Sequence, residues 1–119
     1  MHIKTRSEVI ESSITNSNEN VYLTVTIGNA QIGGSVIRWK NSNDIIGKGE
    51  ILNLNLGKSI DIQDKTLEIT TNTLDVNQLT NGIVNTYYFH NTTIQSYTVT
   101  DIVDNHGDVF SLKIKVNFI

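Results

Sequence analysis

Residues 21–27 alternate strictly, with Val21, Leu23, Val25 and Ile27 on one parity and Tyr22, Thr24 and Thr26 on the other. Successive side chains of an extended chain point to opposite sides, so this spacing predicts a strand with one buried and one solvated face. The pattern recurs along most of the chain. Residues 31–40 set Ile37 and Trp39 against Val36 and Arg38, and Gly33-Gly34 within them suggests a bulge. Leu52, Leu54 and Leu56 alternate with Asn53 and Asn55; after Gly57-Lys58, Ile60 and Ile62 repeat the period, which predicts a short edge strand over 59–62. Leu67, Ile69 and Thr71 oppose Glu68, Thr70 and Asn72. Residues 83–90 and 93–103 read as further strands, and the last strand places Phe110, Leu112, Ile114, Val116 and Phe118 on one face.

Between these runs the turn chemistry is local. Residues 41–44 are short polar side chains that bond to their own backbone. Residues 75–82 do not alternate; Val76 and Leu79 lie three apart, which predicts one helical turn or a compact loop ending in a left-handed Asn81-Gly82. Residues 104–108 have the length and glycine position of a hairpin loop, so the segment 93–119 reads as a long hairpin at the centre of one sheet. Residues 1–20 are ambiguous. Thr5 to Glu8 have the spacing of a capping box, yet the β-branched content disfavours helix, and strand is the preferred reading.

Short strands with one apolar face each must bury those faces against one another. The expected fold is therefore all-β: a single-domain antiparallel β-sandwich of seven or eight strands over residues 1–119, with a small closed barrel as the alternative. Within it, residues 1–20 are expected to dock onto a partner or to exchange between copies.

Composition narrows the function classes. The chain has 119 residues, a length that buries roughly two thirds of the unfolded chain's surface without staples. Cysteine is absent, which excludes a disulfide scaffold and a thiolate metal site. A net charge of −3 gives no electrostatic reason to approach nucleic acid. No stretch nears the roughly 20 apolar residues of a membrane span. The first residues lack the apolar run of a secretory signal, so a cytoplasmic location is expected. The abundance of Ile, Asn and Lys points to an AT-rich, bacterial genome.

Candidate chemistry is sparse. Asp101, Asp104 and Asp108, with Asn105, cluster around one loop and supply the hard oxygens that Ca²⁺ prefers, although Asp and Asn are also the ordinary residues of turns. His2, His90 and His106 stand at no ligand or catalytic spacing; His106 reads as a turn residue tolerating positive φ. No nucleophile elbow or phosphate loop occurs, so the chain is expected not to be an enzyme and to need no cofactor. Residues 84–90 carry rings on both faces, Tyr88 on one and Tyr87 and Phe89 on the other. Tyr22, Tyr87 or Tyr88, and Tyr97 are the candidate binding residues, forming a flat surface edged by Asn and Thr. Trp39 is expected to plug the core. The leading expectation is a non-enzymatic module acting by protein–protein contact or self-association, as an accessory or structural subunit of a bacterial assembly. The alternative is a carbohydrate-binding module, with or without Ca²⁺.

Overall fold

The alternation becomes nine strands and one helical turn in the computed structural model, which describes all 119 residues. In chain order these are β1 (Ile3–Ser12), β2 (Asn20–Ile27), β3 (Ile32–Trp39), β4 (Ile45–Gly49), β5 (Leu54–Lys58), α1 (Ser59–Ile62), β6 (Thr66–Leu74), β7 (Gly82–His90), β8 (Ser96–Ile102) and β9 (Val109–Phe118). They form a five-stranded sheet in the order β1-β9-β6-β3-β4 and a four-stranded sheet in the order β5-β2-β7-β8. The two sheets stack as a sandwich and no barrel closes. No helix is long and apolar enough to cross a membrane.

The inner faces are those the period marks. Phe110, Leu112, Ile114, Val116 and Phe118 of β9 are fully buried, with Leu67 and Ile69 of β6 and Ile37 of β3 beside them. From the opposite sheet come Val21 and Leu23 of β2, Ile83, Tyr87 and Phe89 of β7, and Val99 of β8. Each such side chain contributes about 1.5–3 kcal/mol when removed from water. Phe118 meets Phe89 and Trp39 edge to face, at 6.3 and 6.1 Å between ring centres, so Trp39 rims the core rather than plugging it.

Several expectations are corrected. The sandwich is not wholly antiparallel: β1 runs parallel to β9 from Ile3 opposite Val109 to Ser12 opposite Phe118. No tight turn joins these two strands, so turn geometry does not dictate their direction. Residues 93–119 do not form a hairpin either. β8 ends the four-stranded sheet while β9 lies inside the five-stranded one, and residues 104–108 arch between them. Gly107, at φ +88°, turns that arch, so the positive φ expected at His106 falls one residue later. The arch is stitched to the next loop, with the Asp75 N–H donating to the Asp108 carbonyl at 3.0 Å and the Gly107 N–H to the Asp75 carbonyl at 2.9 Å.

Residues 59–62 form a helical turn, not an edge strand. Ser59 is buried there and its hydroxyl donates to the carbonyls of Asn16 and Glu19, while Ile62 is buried and Ile60 exposed. Leu52 is exposed because β5 begins only after Asn53, which turns the chain at φ +48°. The bulges lie elsewhere than Gly33-Gly34, between Val21 and Tyr22 against β5 and between Ile37 and Arg38 against β4. Gly33 answers to space instead: a Cβ there would stand 2.1 Å from the Asn72 carbonyl oxygen.

The loop 75–81 contains neither a helical turn nor a left-handed Asn81-Gly82. The buried Gln31 side chain holds it. Its carbonyl accepts the N–H groups of Val76 and Asn77 at 2.8 and 2.9 Å, and its amide donates to Asp75 Oδ1 at 2.8 Å and to the carbonyls of Gly82 and Thr80 at 3.1 and 3.3 Å. Residues 1–20 pair within their own chain. Beyond β1 the connection to β2 is tied down by Asn91, which donates to the Asn16 carbonyl at 2.7 Å and accepts from the Thr15 hydroxyl at 2.7 Å.

Candidate binding face

The outward parity of β2, β7 and β8 builds one surface. Tyr22 stands across from His90, Thr24 from Tyr88 and Ser96, Thr26 from Thr86 and Thr98, and Val84 from Thr100. Asn55 of β5 extends the first row beside Tyr22, and Ile102 ends β8 with 60% of its surface exposed. Apart from His90 these rows carry no ionisable group other than the two phenols; Lys58 of β5, opposite Asn20, stands beyond them at the end of the face. The hydroxyls of Thr86 and Thr98 bond at 3.0 Å, a cross-strand pair that stiffens the centre of the face. β-branched and aromatic side chains fit a pleated surface, which explains why these residues stand in these strands.

Of the four candidate tyrosines the face brings together two. Tyr22 and Tyr88 lie diagonally across β2 and β7, and the Tyr22 ring is 6.2 Å from that of His90. They flank a shallow depression of about 370 Å³ whose polar walls include Asn53, His90 and Gln95. Tyr87 is a correction. It points into the core, fully buried, where its hydroxyl donates to Thr71 Oγ1 at 2.7 Å and Thr71 bonds Ser35 at 2.8 Å. Burial pushes its phenol up to about 12, the Thr71 bond offsetting part of the rise. Tyr97, directly opposite Tyr87 on β8, also faces inward and packs half-buried against the core.

The acidic cluster converges only in part: Asp104 and Asp108 line one shallow depression with His2 and Asn105, and Asp101 is not among its walls. Asp101 lies on the inward parity of β8, where Lys4 reaches it at 2.7 Å and Arg6 at 3.1 Å. Burial raises its pKa, but the hydrogen bonds from Lys4, the Ile102 N–H and Arg6 outweigh that and hold the carboxyl below the usual range. Asp108 is buried in the arch, accepting the His2 N–H at 2.9 Å and the Asn105 N–H at 3.0 Å, bonds that lower its pKa as well. Asp104 is exposed and its carbonyl accepts from Asn81. No three carboxylate or imidazole side chains stand together as an ion would need. His2, His90 and His106 are likewise apart, and His90 pairs only loosely with Glu19, at 3.8 Å.

The alternation does not reveal a lateral ion network. Lys4, Arg6 and Glu8 all take the inward parity of β1, Arg6 binding Glu8 at 2.6 Å and Asp101 across the gap between the sheets. Arg6 and Lys4 also donate to the carbonyls of Thr100 and Ile102 on β8. The glutamate and aspartate hold the Arg6 guanidinium above its ordinary pKa. Three inward charges on one strand are the signal that such a seam leaves in a sequence, because unpaired they are costly. Compared with protein-family models, with curated proteins and with solved structures, the chain matches none.

Proposed function

We propose that this chain is a non-enzymatic β-sandwich that works by protein–protein contact, as an accessory or structural subunit of a larger bacterial assembly. Its contact surface is the outer face of the four-stranded sheet. One observation carries the reading: across β2, β7 and β8 that face presents tyrosine, threonine, serine and asparagine with the exposed aliphatic Ile102 and no Lys, Arg, Asp or Glu, the one such residue in its paired rows being Lys58 at the far end of β5. Interface centres are depleted of charge and enriched in tyrosine, whereas a face that meets only water has no need to shed its charges. The flat Thr86–Thr98 centre is pre-ordered, so little entropy is lost when a partner covers it.

A second reading rests on the depression between Tyr22 and Tyr88. Two rings flanked by the amides of Asn53 and Gln95 suit the apolar faces and hydroxyls of a sugar. Affinity capture with the wild-type chain and with Thr98→Lys separates these readings from a passive face. Loss of a captured protein on Thr98→Lys, with retention by Asn72→Lys on the other sheet, supports the protein reading. A glycan-array signal that vanishes with Tyr88→Ala supports the sugar. Equal capture by all variants and a silent array overturn both.

A further inference from the structure

Four strands end the two sheets, and they are not equivalent. β4 and β5 are five residues each. β8 has its Thr100 and Ile102 carbonyls engaged by Arg6 and Lys4. β1 is ten residues long and pairs on one side only. The bonds at its two ends go through even residues, the Val109 N–H donating to the His2 carbonyl at 2.9 Å and the Ile119 N–H to the Ser12 carbonyl at 3.0 Å. Bonding direction alternates along a strand, so Ile3, Thr5, Ser7, Val9 and Glu11 turn their N–H and C=O groups outward. A long row of such groups is a template for another strand.

The charge order of β1 selects the strand that fits. Its first half holds Lys4 and Arg6, its second Glu8 and Glu11. We infer that β1 pairs antiparallel with β1 of a second copy, about a two-fold axis at Ser7, joining two five-stranded sheets into one. Ser7 then faces Ser7, Thr5 faces Val9, and Arg6 faces Glu8 in the non-hydrogen-bonded position, where opposing side chains are nearest. A shift of two residues in one direction would set Arg6 against Arg6, and in the other Glu8 against Glu8. A shift of one would turn outward groups of one strand towards inward groups of the other. The Ser7-centred register avoids each of these; a Val9-centred one avoids them as well but shortens the overlap and sets Arg6 opposite Ser12 and Glu8 opposite Ile10, with no opposed charges to favour it.

Inward charges on an edge commonly repel a second strand. In this seam Lys4 and Arg6 are matched by Glu8 and Asp101 and bonded to them, so the edge meets its copy neutral. The exposed Val9 and Ile3 gain cover, and the two-fold closes the interface against further growth there. This edge is on the opposite sheet from the proposed contact face, so the two readings fail independently.

The chain has no cysteine, which makes Ser7→Cys a direct probe. In the inferred register the two Ser7 Cα atoms are about 5.5 Å apart, within disulfide reach, while two Thr5 positions are beyond it. Expected are a dimer by light scattering of the full wild-type chain, and oxidation of Ser7→Cys to a covalent dimer at least roughly tenfold faster than Thr5→Cys. Arg6→Glu, its folding checked by circular dichroism, is expected to be monomeric. A wild-type monomer at all concentrations, or equal cross-linking of the two cysteine variants, overturns the inference whatever Arg6→Glu does.

Discussion

The two outer faces of the sandwich are made differently, although their inner faces are alike. On the five-stranded sheet the outward positions include Arg38 on β3, Lys48 on β4, Glu68 on β6, Glu11 on β1 and Lys113 and Lys115 on β9, with Lys113 3.5 Å from Glu68. On the four-stranded sheet the same positions hold mostly hydroxyls, rings and amides, and Lys58 at the end of β5 is the one Lys, Arg, Asp or Glu among them. Burial constrains only the inner parity, so nothing in folding requires this contrast. Charge spread over one face suits water and keeps it solvated; its absence from β2, β7 and β8 on the other is a property of that surface, and it is where contact with another molecule is proposed.

The two sheets are most vulnerable through the core they share. Ile114→Asp puts an unpaired charge between them and is expected to cost about 4 kcal/mol or more, out of the roughly 5–15 kcal/mol that holds a typical domain. Circular dichroism should show no cooperative thermal unfolding. A preserved transition would mean that the inner face of β9 is misassigned. Gln31→Ala withdraws the bonds by which the Gln31 side chain holds residues 75–82 and leaves the buried Asp75 carboxyl without its partner. A loss of roughly 2–4 kcal/mol is expected in urea unfolding.

Acid acts on the sides of the sandwich rather than on its faces. Asp101 and Asp108 have lowered pKa values in the folded chain, so near and below the ordinary carboxylate value the unfolded chain binds more protons. Their contribution is complete above about pH 4 and is lost as pH falls through the lowered values. The melting temperature should fall in that acid range, and Asp101→Asn or Asp108→Asn should make the fall shallower. The smallest effect on stability sharpens the contrast most. Thr98→Lys and Asn72→Lys should each change stability by less than about 0.5 kcal/mol, since both are exposed, yet only the first should abolish partner capture.

Much of the sandwich is legible in the sequence because long strands with one dry face write their period plainly, as Phe110 to Phe118 do. What fails is whatever lies beyond the single strand. The spacing of Ile60 and Ile62 is the same in a strand and at the corner of a helical turn, and only the bonds of Ser59 distinguish them. The loop 104–108 has the chemistry of a hairpin and of an arch alike. Tyr87 and Tyr88 fall on opposite faces by period, but the inner parity of β7 also includes the buried Asn85, so polarity does not say which tyrosine is inside. For the binding face, Tyr22 and Tyr88 are legible as outward residues, while their grouping with Thr86 and Thr98 depends on which strands are neighbours.

The parallel pairing of β1 with β9 also governs the order in which the molecule is completed during synthesis. β1 leaves the ribosome well before its partner β9, and until residues 109–118 emerge neither β1 nor β6 has the neighbour that separates them in the finished sheet. Loop closure over nearly the whole chain must precede that contact, which makes the final step slow for a domain of this size. In the meantime the nascent protein presents β1 without a neighbour and β6 paired only with β3, its other edge open, and those are the segments where a chaperone would have the most to shield.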